Sequence, residues 1–401
     1  MVKLSGAAYP AVSPQISLLV LQPTPFCNID CSYCYLADRA STARMSLRTL
    51  DLACDRLLDS RFLGSHLEVA WHAGEPLAVP VAWYAEAVDL MAERFRGRVQ
   101  LKHCFQTNGL LINEEWIRFF TRIEARVGVS VDGPADLHDA NRRTRNGRGT
   151  HDRVMEAVRL LKDHGFPFHV ITVLTERSLD APDRIFDFYA SAGIGDVGFN
   201  IEEIEGGHLI SSLSTSSIET RFRKFLRRFL ELVWASPGTV RLREFEEGIG
   251  LILSNEHPRD HQNAPFGIVS IDHGGGIATF SPELLGARHG RFQTFVLGHL
   301  STHSLEDIAG SAAFRSIDAE IQSGVAACER TCPYFRWCGG GAPANKLFET
   351  GRFDATETMH CRLTRQTVLD EVINELEAHI QPRTTNVVGN RIGRGSGDDG
   401  Y

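Results

Sequence analysis

Cys27, Cys31 and Cys34 stand in a CxxxCxxC array within residues 26–35, directly after an apolar run at 16–22 that is closed by Pro23 and Pro25. No other feature restricts the fold so tightly. The apolar run reads as a buried strand, so the cysteine loop is launched from the end of a sheet. Three thiolates so close together wrap one face of a small metal centre. Three is one too few to close a tetrahedral zinc site or to ligate every iron of a four-iron cluster. The array therefore predicts a centre with one open position, available to a small molecule. A loop of three unrelated thiols, or half a zinc site, is the other reading of the same spacing.

The pattern that follows the loop is repetitive. Apolar runs at 67–72, 99–106, 126–131, 168–174 and 197–201 alternate with helical patterns at 46–60, 80–96, 113–122, 150–164 and 180–192. With the first run this makes six strands separated by helices, which calls for an α/β fold with a parallel sheet and crossover helices. Six units fall short of the eight of a closed barrel. Polar or glycine-bearing motifs end several strands: AGEP at 73–76, TNG at 107–109 and DGP at 132–134. Active sites of such folds gather at the carboxyl ends of the strands.

A long amphipathic helix is predicted at 215–236, with Phe222, Phe225, Leu226 and Phe229 on one face. The periodicity then changes. Residues 268–280 read as a β-hairpin around Gly274–Gly276. A short helix is expected at 304–314, a loop-rich stretch at 324–361 and a last helix at 361–379. The expected organisation is an N-terminal segment (1–15), an α/β barrel (16–237), a small cysteine-rich domain (238–380) and a disordered Gly-, Arg-, Asn- and Asp-rich tail (381–401).

Composition removes several functions. The net charge of −8 offers no basic surplus for a nucleic-acid partner. No apolar run approaches the roughly 18 residues of a membrane span. Residues 1–14 lack a basic start and apolar core, so no signal peptide is read there. The nine cysteines are an odd number clustered at both ends of the chain, which argues against a disulfide framework and for a reducing, cytoplasmic setting. Cys54 and Cys104 stand alone in apolar-periodic segments and read as buried structural thiols. The other four form a second array, Cys328-x3-Cys332-x5-Cys338 and then Cys361. Four thiolates close a structural zinc site or a fully ligated four-iron cluster, and the spacing admits either.

With Tyr33 just before the third cysteine, the first array resembles that of the radical S-adenosylmethionine (SAM) enzymes. The resemblance implies a partial (β/α)6 TIM-like barrel and a [4Fe-4S] cluster whose open iron chelates the methionine end of SAM. AGEP resembles that family's GGEP motif, with Ala73 in place of the first glycine, and implies that the strand edge at Gly74 and Glu75 hold the SAM ammonium group. Gln106 and Asn108 resemble positions that line the pocket. Ser130 and Asp132 resemble the group contacting the SAM ribose and carboxylate, and Arg142 the arginine that pairs with that carboxylate. Arg143, Arg145 and Arg148 read as a solvated basic loop.

Beside the first array, the C-terminal cysteines resemble the SPASM extension of radical SAM peptide maturases. The hairpin has no cysteine, and Gly339–Gly341 follow Cys338 where another cysteine is often found. The four that remain match the outer auxiliary cluster, so one auxiliary [4Fe-4S] cluster is expected, not two. The segment 338–362, CGGGAPANKLFETGRFDATETMHCR, together with FNIEE at 199–203, looks like the cyclophane-forming maturases of the GrrM/OscB type.

That resemblance implies an oxidoreductase acting on a precursor peptide. A donor such as flavodoxin or ferredoxin reduces the first cluster, and SAM yields a 5′-deoxyadenosyl radical. The radical takes hydrogen from a side-chain β-carbon, and that carbon attacks an aromatic ring two residues earlier. The auxiliary cluster takes the leaving electron. Asp272, Glu202 and Glu203 are candidates by position for the base that takes the proton. No helix–strand domain precedes Cys27, so the leader is expected to dock on an exposed strand edge of the C-terminal part. Other radical SAM maturases (thioether-forming, epimerising or sulfatase-type) and a non-enzymatic zinc or iron–sulfur scaffold are the competing classes.

Overall fold

The computed structural model describes residues 15–254 and 260–380. The expectations for 1–14 and 381–401 lie outside the described residues. Ten strands form one sheet: β1 (Ile16–Leu21), β2 (Leu63–Trp71), β3 (Gln100–Thr107), β4 (Arg126–Ser130), β5 (His169–Leu174), β6 (Asp196–Ile201), β7 (Arg241–Leu242), β8 (Ile268–Ile271), β9 (Gly276–Thr279) and β10 (Gly298–His299). Their order is β10-β9-β8-β1-β2-β3-β4-β5-β6-β7, parallel from β8 to β7 and antiparallel at β9 and β10. Among the described residues the sheet does not close. The fold is an open, partial α/β barrel.

Crossovers carry α1 (Leu47–Leu58), α2 (Val81–Phe95), α3 (Glu114–Arg122), α4 (Ala135–Asn141), α5 (His151–Asp163) and α6 (Pro182–Ala192), and α7 (Ile218–Ala235) follows β6. Ser46 and Asn113 cap α1 and α3 by accepting from Thr49 and Trp116 N–H. Alternate residues of each strand face the helices. Trp71 and Phe105 pack there with Tyr84, Trp116 and Phe120, ring centroids 5.1 Å apart for Trp71–Tyr84 and for Phe105–Phe120. The expected apolar face of α7 is buried, with Phe229 4.9 Å from Phe199.

The intervening residues face inward. Val20, Ala70, Gln106, Ser130, Ile171 and Asn200, one from each of β1 to β6, line a cavity of ≈ 460 Å³. Gly128 leaves room for Gln106, whose Oε1 would lie 2.1 Å from a Cβ there.

The hairpin falls where the sequence places it, but it joins the barrel sheet: β8 pairs with β1 from Leu18↔Ile268 to Leu21↔Ile271. Downstream lie α8 (Arg243–Leu253), α9 (Leu305–Gly310), α10 (Ala312–Thr331), α11 (Phe335–Cys338), α12 (Pro343–Thr350), α13 (Met359–Cys361), a π-helical turn over Arg362–Thr367 and α14 (Val368–Ile380). The stretch expected to be loop-rich therefore begins inside a 20-residue helix. Its stripe, Phe314, Ile317, Ile321, Gly324 and Cys328, is buried, and Ser311 caps it at Phe314 N–H. The last helix is tied to the barrel by Glu371, fully buried and 3.0 Å from both Arg223 and Arg227 of α7.

Candidate active site

The cysteine loop sits at the carboxyl ends of the parallel strands, and Cys27, Cys31 and Cys34 line the cavity there. The loop is held from two sides. Arg145 Nε donates to the Cys27 carbonyl at 2.9 Å, and Ser32 donates to Asn141 through N–H and hydroxyl at 3.1 and 2.8 Å. Arg145 is thus a clamp on the loop. From the other side Asn108 Nδ2 reaches Asn28 Oδ1 at 2.7 Å and Cys27 Sγ at 3.7 Å. Burial, reinforced by Glu75, pushes the Cys27 thiol up to about 11. Burial pushes Cys31 up to about 12 against the opposing pull of Arg142. Such thiols become good ligands only when a cation displaces their protons.

Glu75 is buried beside them. Its Oε1 accepts from Leu77 N–H at 2.9 Å and Thr107 Oγ1 at 2.7 Å, and its Oε2 accepts from Asn108 N–H at 2.8 Å. Burial outweighs these donors and raises its carboxyl to about 7. The turn before it is tight: Ala73 has φ 68° and Gly74 φ 100°, and a Cβ on Gly74 would lie 2.4 Å from the Thr24 carbonyl. Gln106 Nε2 donates to Ser130 Oγ at 3.0 Å, and both residues line the cavity.

Asp132 takes a different place from the one the resemblance implies. It is not among the cavity's lining residues, and its oxygens are already used. It accepts from Tyr33 Oη at 2.5 Å and from Val173 N–H at 3.0 Å, and it pairs with Arg142 at 3.1 Å. It is the post behind the wall that fixes Tyr33 and Arg142. Arg142 lines the cavity, 5.5 Å above the Tyr33 ring, with Nη1 4.0 Å from Cys31 Sγ.

The opposite wall is acidic. Glu202, Glu203, Glu205 and Glu283 all line it. Glu202 is occupied by His208 at 3.1 Å and by Ser212. Glu203 accepts from Asn345 Nδ2 at 2.8 Å, and His360 lies 3.7 Å from its other oxygen. Sequence reasoning missed Glu205 and Glu283. Glu205 is 2% exposed, and burial with Glu203 and Glu283 beside it holds its carboxyl well above the usual range. Burial and then Glu203 push Glu283 up to about 7, and among the described residues its Oε2 has no hydrogen-bond partner. Asp272 is elsewhere: it closes the β8–β9 turn by accepting from Gly274 and Gly276 N–H, each at 2.8 Å.

Residues 21–189 match the radical SAM superfamily. An uncharacterised protein of Synechocystis is 42% identical over 367 residues, 90% of this chain and 92% of its own length. The chain belongs to the radical SAM superfamily. A serine-type anaerobic sulfatase-maturating enzyme of Bacteroides thetaiotaomicron is 25% identical, covering 86% of this chain and 87% of that enzyme. In fold, the chain is similar to native anSMEcpe with bound AdoMet and Cp18Cys peptide (TM-score 0.74, 19% identity, 91% of this chain and 99% of the other). It is also similar to Streptococcus suis SuiB bound to precursor peptide SuiA (TM-score 0.59, 14% identity, 86% and 76%).

Membership of the radical SAM superfamily implies a [4Fe-4S] cluster and SAM. The site fits them. Three thiols share a cavity with Glu75 and Arg142, and its ≈ 460 Å³ falls within the roughly 300–1,000 Å³ of small-molecule sites. Among the described residues no helix is long and apolar enough to cross a membrane.

The second cysteine group of this radical SAM chain also converges. Cys328, Cys332, Cys338 and Cys361 line one cavity of ≈ 260 Å³. Burial, then neighbouring Cys338, pushes the Cys361 thiol up to about 12. Among the described residues no three Cys, His, Asp or Glu side chains close on a single metal ion. Cys54 is buried in the core, whereas Cys104 is half-buried and lines the same cavity as the first group.

Proposed function

We propose that this radical SAM chain is a peptide maturase that closes a cyclophane between an aromatic ring carbon and a side-chain β-carbon of a precursor peptide. The observation that carries this reading is the contact between its two most distinctive segments. Asn345, in the stretch 338–362, donates to Glu203, in FNIEE, at 2.8 Å, and His360 faces the same carboxylate. The FNIEE segment thus lines the cavity that holds the cysteine loop, and the stretch 338–362 holds its Glu203 in place. The SuiB–SuiA complex, a fold relative with a bound precursor peptide, supports a peptide as substrate.

In this reading Cys27, Cys31 and Cys34 hold the SAM-binding cluster. Glu75, with one carboxylate lone pair left over, receives the SAM ammonium, and the free edge of Arg142 receives its carboxylate. Gln106, Asn108 and Ser130 shape the floor. Asp132 and Tyr33 keep Arg142 from rotating away. When bound, the cluster and SAM supply a 5′-deoxyadenosyl radical able to take hydrogen from an unactivated carbon. The acidic wall takes the proton released on ring closure. Glu202 and Glu203 are committed to donors and Asp272 lies outside the cavity, so Glu283, poised near neutrality with one oxygen unengaged, is the acceptor. Cys328, Cys332, Cys338 and Cys361 hold one auxiliary [4Fe-4S] cluster, and an external reductant such as flavodoxin or ferredoxin supplies electrons.

A second reading, sulfatase-type maturation, is favoured by the relative from Bacteroides thetaiotaomicron across most of the chain. Anaerobic co-expression with candidate peptides and tandem mass spectrometry separates the two. A cyclophane loses two hydrogens and resists fragmentation inside the ring. Formylglycine is captured by a hydrazine probe. Failure to release 5′-deoxyadenosine on reduction with SAM would remove both.

A further inference from the structure

Helices α10 and α12 bring a lysine against the second cysteine group. Lys346 is 3% exposed, and its Nζ donates to Cys328 Sγ at 3.5 Å. Among the described residues that sulfur is its one side-chain partner. The carboxylates on neighbouring turns are taken: Asp354 by Arg352 at 2.6 Å and Glu320 by Arg291 at 2.8 Å. Gly324, midway along α10, makes the room. A Cβ there would lie 2.5 Å from the Phe353 carbonyl and 3.2 Å from Lys346 Nζ. Glycine in a helix interior is unfavourable relative to alanine, and here it is required by the close approach of the Phe353–Asp354 backbone that walls in Lys346. An ammonium withdrawn from water without an anion is strongly disfavoured. A neutral thiol is a poor partner for it. A thiolate-ligated cluster, with net negative charge, is a good one.

We propose that Lys346 is the buried counter-ion of the metal centre held by Cys328, Cys332, Cys338 and Cys361, and that its charge makes that centre easier to reduce. The proposal rests on the reading that these cysteines hold an iron–sulfur cluster. Reduction adds negative charge, and a cation against a ligand sulfur stabilises the reduced form more than the oxidised one. Gln366 Nε2, 3.5 Å from Cys361 Sγ, acts in the same direction through a hydrogen bond. Among the described residues the cation against the N-terminal sulfurs, Arg142, shares its charge with Asp132. Lys346 is a positioning and tuning residue that does not line the first cavity.

The test uses the full-length protein, reconstituted anaerobically in a C27A/C31A/C34A background so that the C-terminal cluster alone is seen by electron paramagnetic resonance. At fixed potential, K346M and K346Q should cut the reduced-to-oxidised ratio about tenfold, a shift of ~59 mV to more negative potential for a one-electron couple. K346R should stay close to the parent. An unchanged midpoint in both neutral variants overturns the tuning role. Thermal melts give a second arm. With iron stripped, K346M should melt above the parent, and with iron loaded that gap should close or reverse. A stripped K346M that melts below the parent overturns the counter-ion role. Zinc found at these cysteines would defeat the cluster reading and the claim about reduction, while the melts would still decide the counter-ion. No metal there would defeat all three.

Discussion

The molecule carries two cysteine sites that differ in almost every local respect. The first hangs on a loop at the carboxyl ends of the barrel strands, offers three sulfurs, and opens into a cavity lined by Glu75 and Arg142. The second takes Cys328 from α10, Cys338 from α11 and Cys361 from α13, offers four sulfurs, and has a lysine buried against it. A centre with a vacancy suits chemistry on a bound molecule, and a centre fully enclosed by thiolates suits electron transfer. In the proposed function, ligand count and the charge beside the sulfurs divide labour between two centres built from the same residue type.

The sharpest way to break this contrast is to remove ligands one site at a time. C31A should abolish 5′-deoxyadenosine release, at least ~10³-fold or about 4 kcal/mol in the barrier. C338A should leave that release in place while peptide modification is lost. Equal loss of both products in both variants would mean that the sites do not divide the work. A smaller effect is expected where each site is anchored. D132N breaks the buried pair with Arg142 and should cost about 3 kcal/mol of stability in denaturant titrations, with weaker SAM binding. E371Q, whose partner Arg227 is half exposed, should cost only about 1–2 kcal/mol and leave SAM binding unchanged.

Acidity separates the sites further. Glu283 keeps a proton up to about 7 in the folded, ligand-free protein, because burial and Glu203 disfavour its charge. The unfolded chain releases that proton near its ordinary value of 4.5. The native state therefore binds the extra proton between these values, and stability falls as pH rises from about 4.5 to about 7, then levels off. E283Q should flatten that slope in melts of the apo-protein, although Glu75, also raised to about 7, keeps part of it. A slope unchanged by E283Q would remove Glu283 as the group poised to take a proton. The smallest effect is at the turn before Glu75. Ala73 sits at φ 68°, so A73G should stabilise the protein by about 1 kcal/mol in the same melts.

Much of this was legible in the sequence because it is local. The CxxxCxxC spacing, the strand–helix alternation and the polar strand ends need only neighbours to be read, and the structure brings Cys27, Glu75, Gln106 and Ser130 to one cavity. What depended on distant contacts was not legible. Cys328 was counted with a loop, whereas it closes the apolar stripe begun by Phe314 and Ile317, and a cysteine in such a stripe passes for a metal ligand or a core residue alike. Glu205 and Glu283 reach the cavity through a turn and a short segment after β9, and no motif marks either. Asp132 lay on the expected strand end, but the hydroxyl of Tyr33, from a loop far earlier in the chain, engages it behind the cavity wall. The pairing of β8 with β1 had no local signal at all.

That last pairing has a consequence for how the protein is made. The strand that launches the cysteine loop lies between β2, which follows it closely, and β8, which arrives some 250 residues later. During synthesis one flank of β1 stays bare until most of the polypeptide has left the ribosome, and such long-range closure is slow. The loop launched from β1 is thereby braced on both flanks only once β8 has docked, so products truncated before β8 should expose that loop to proteases.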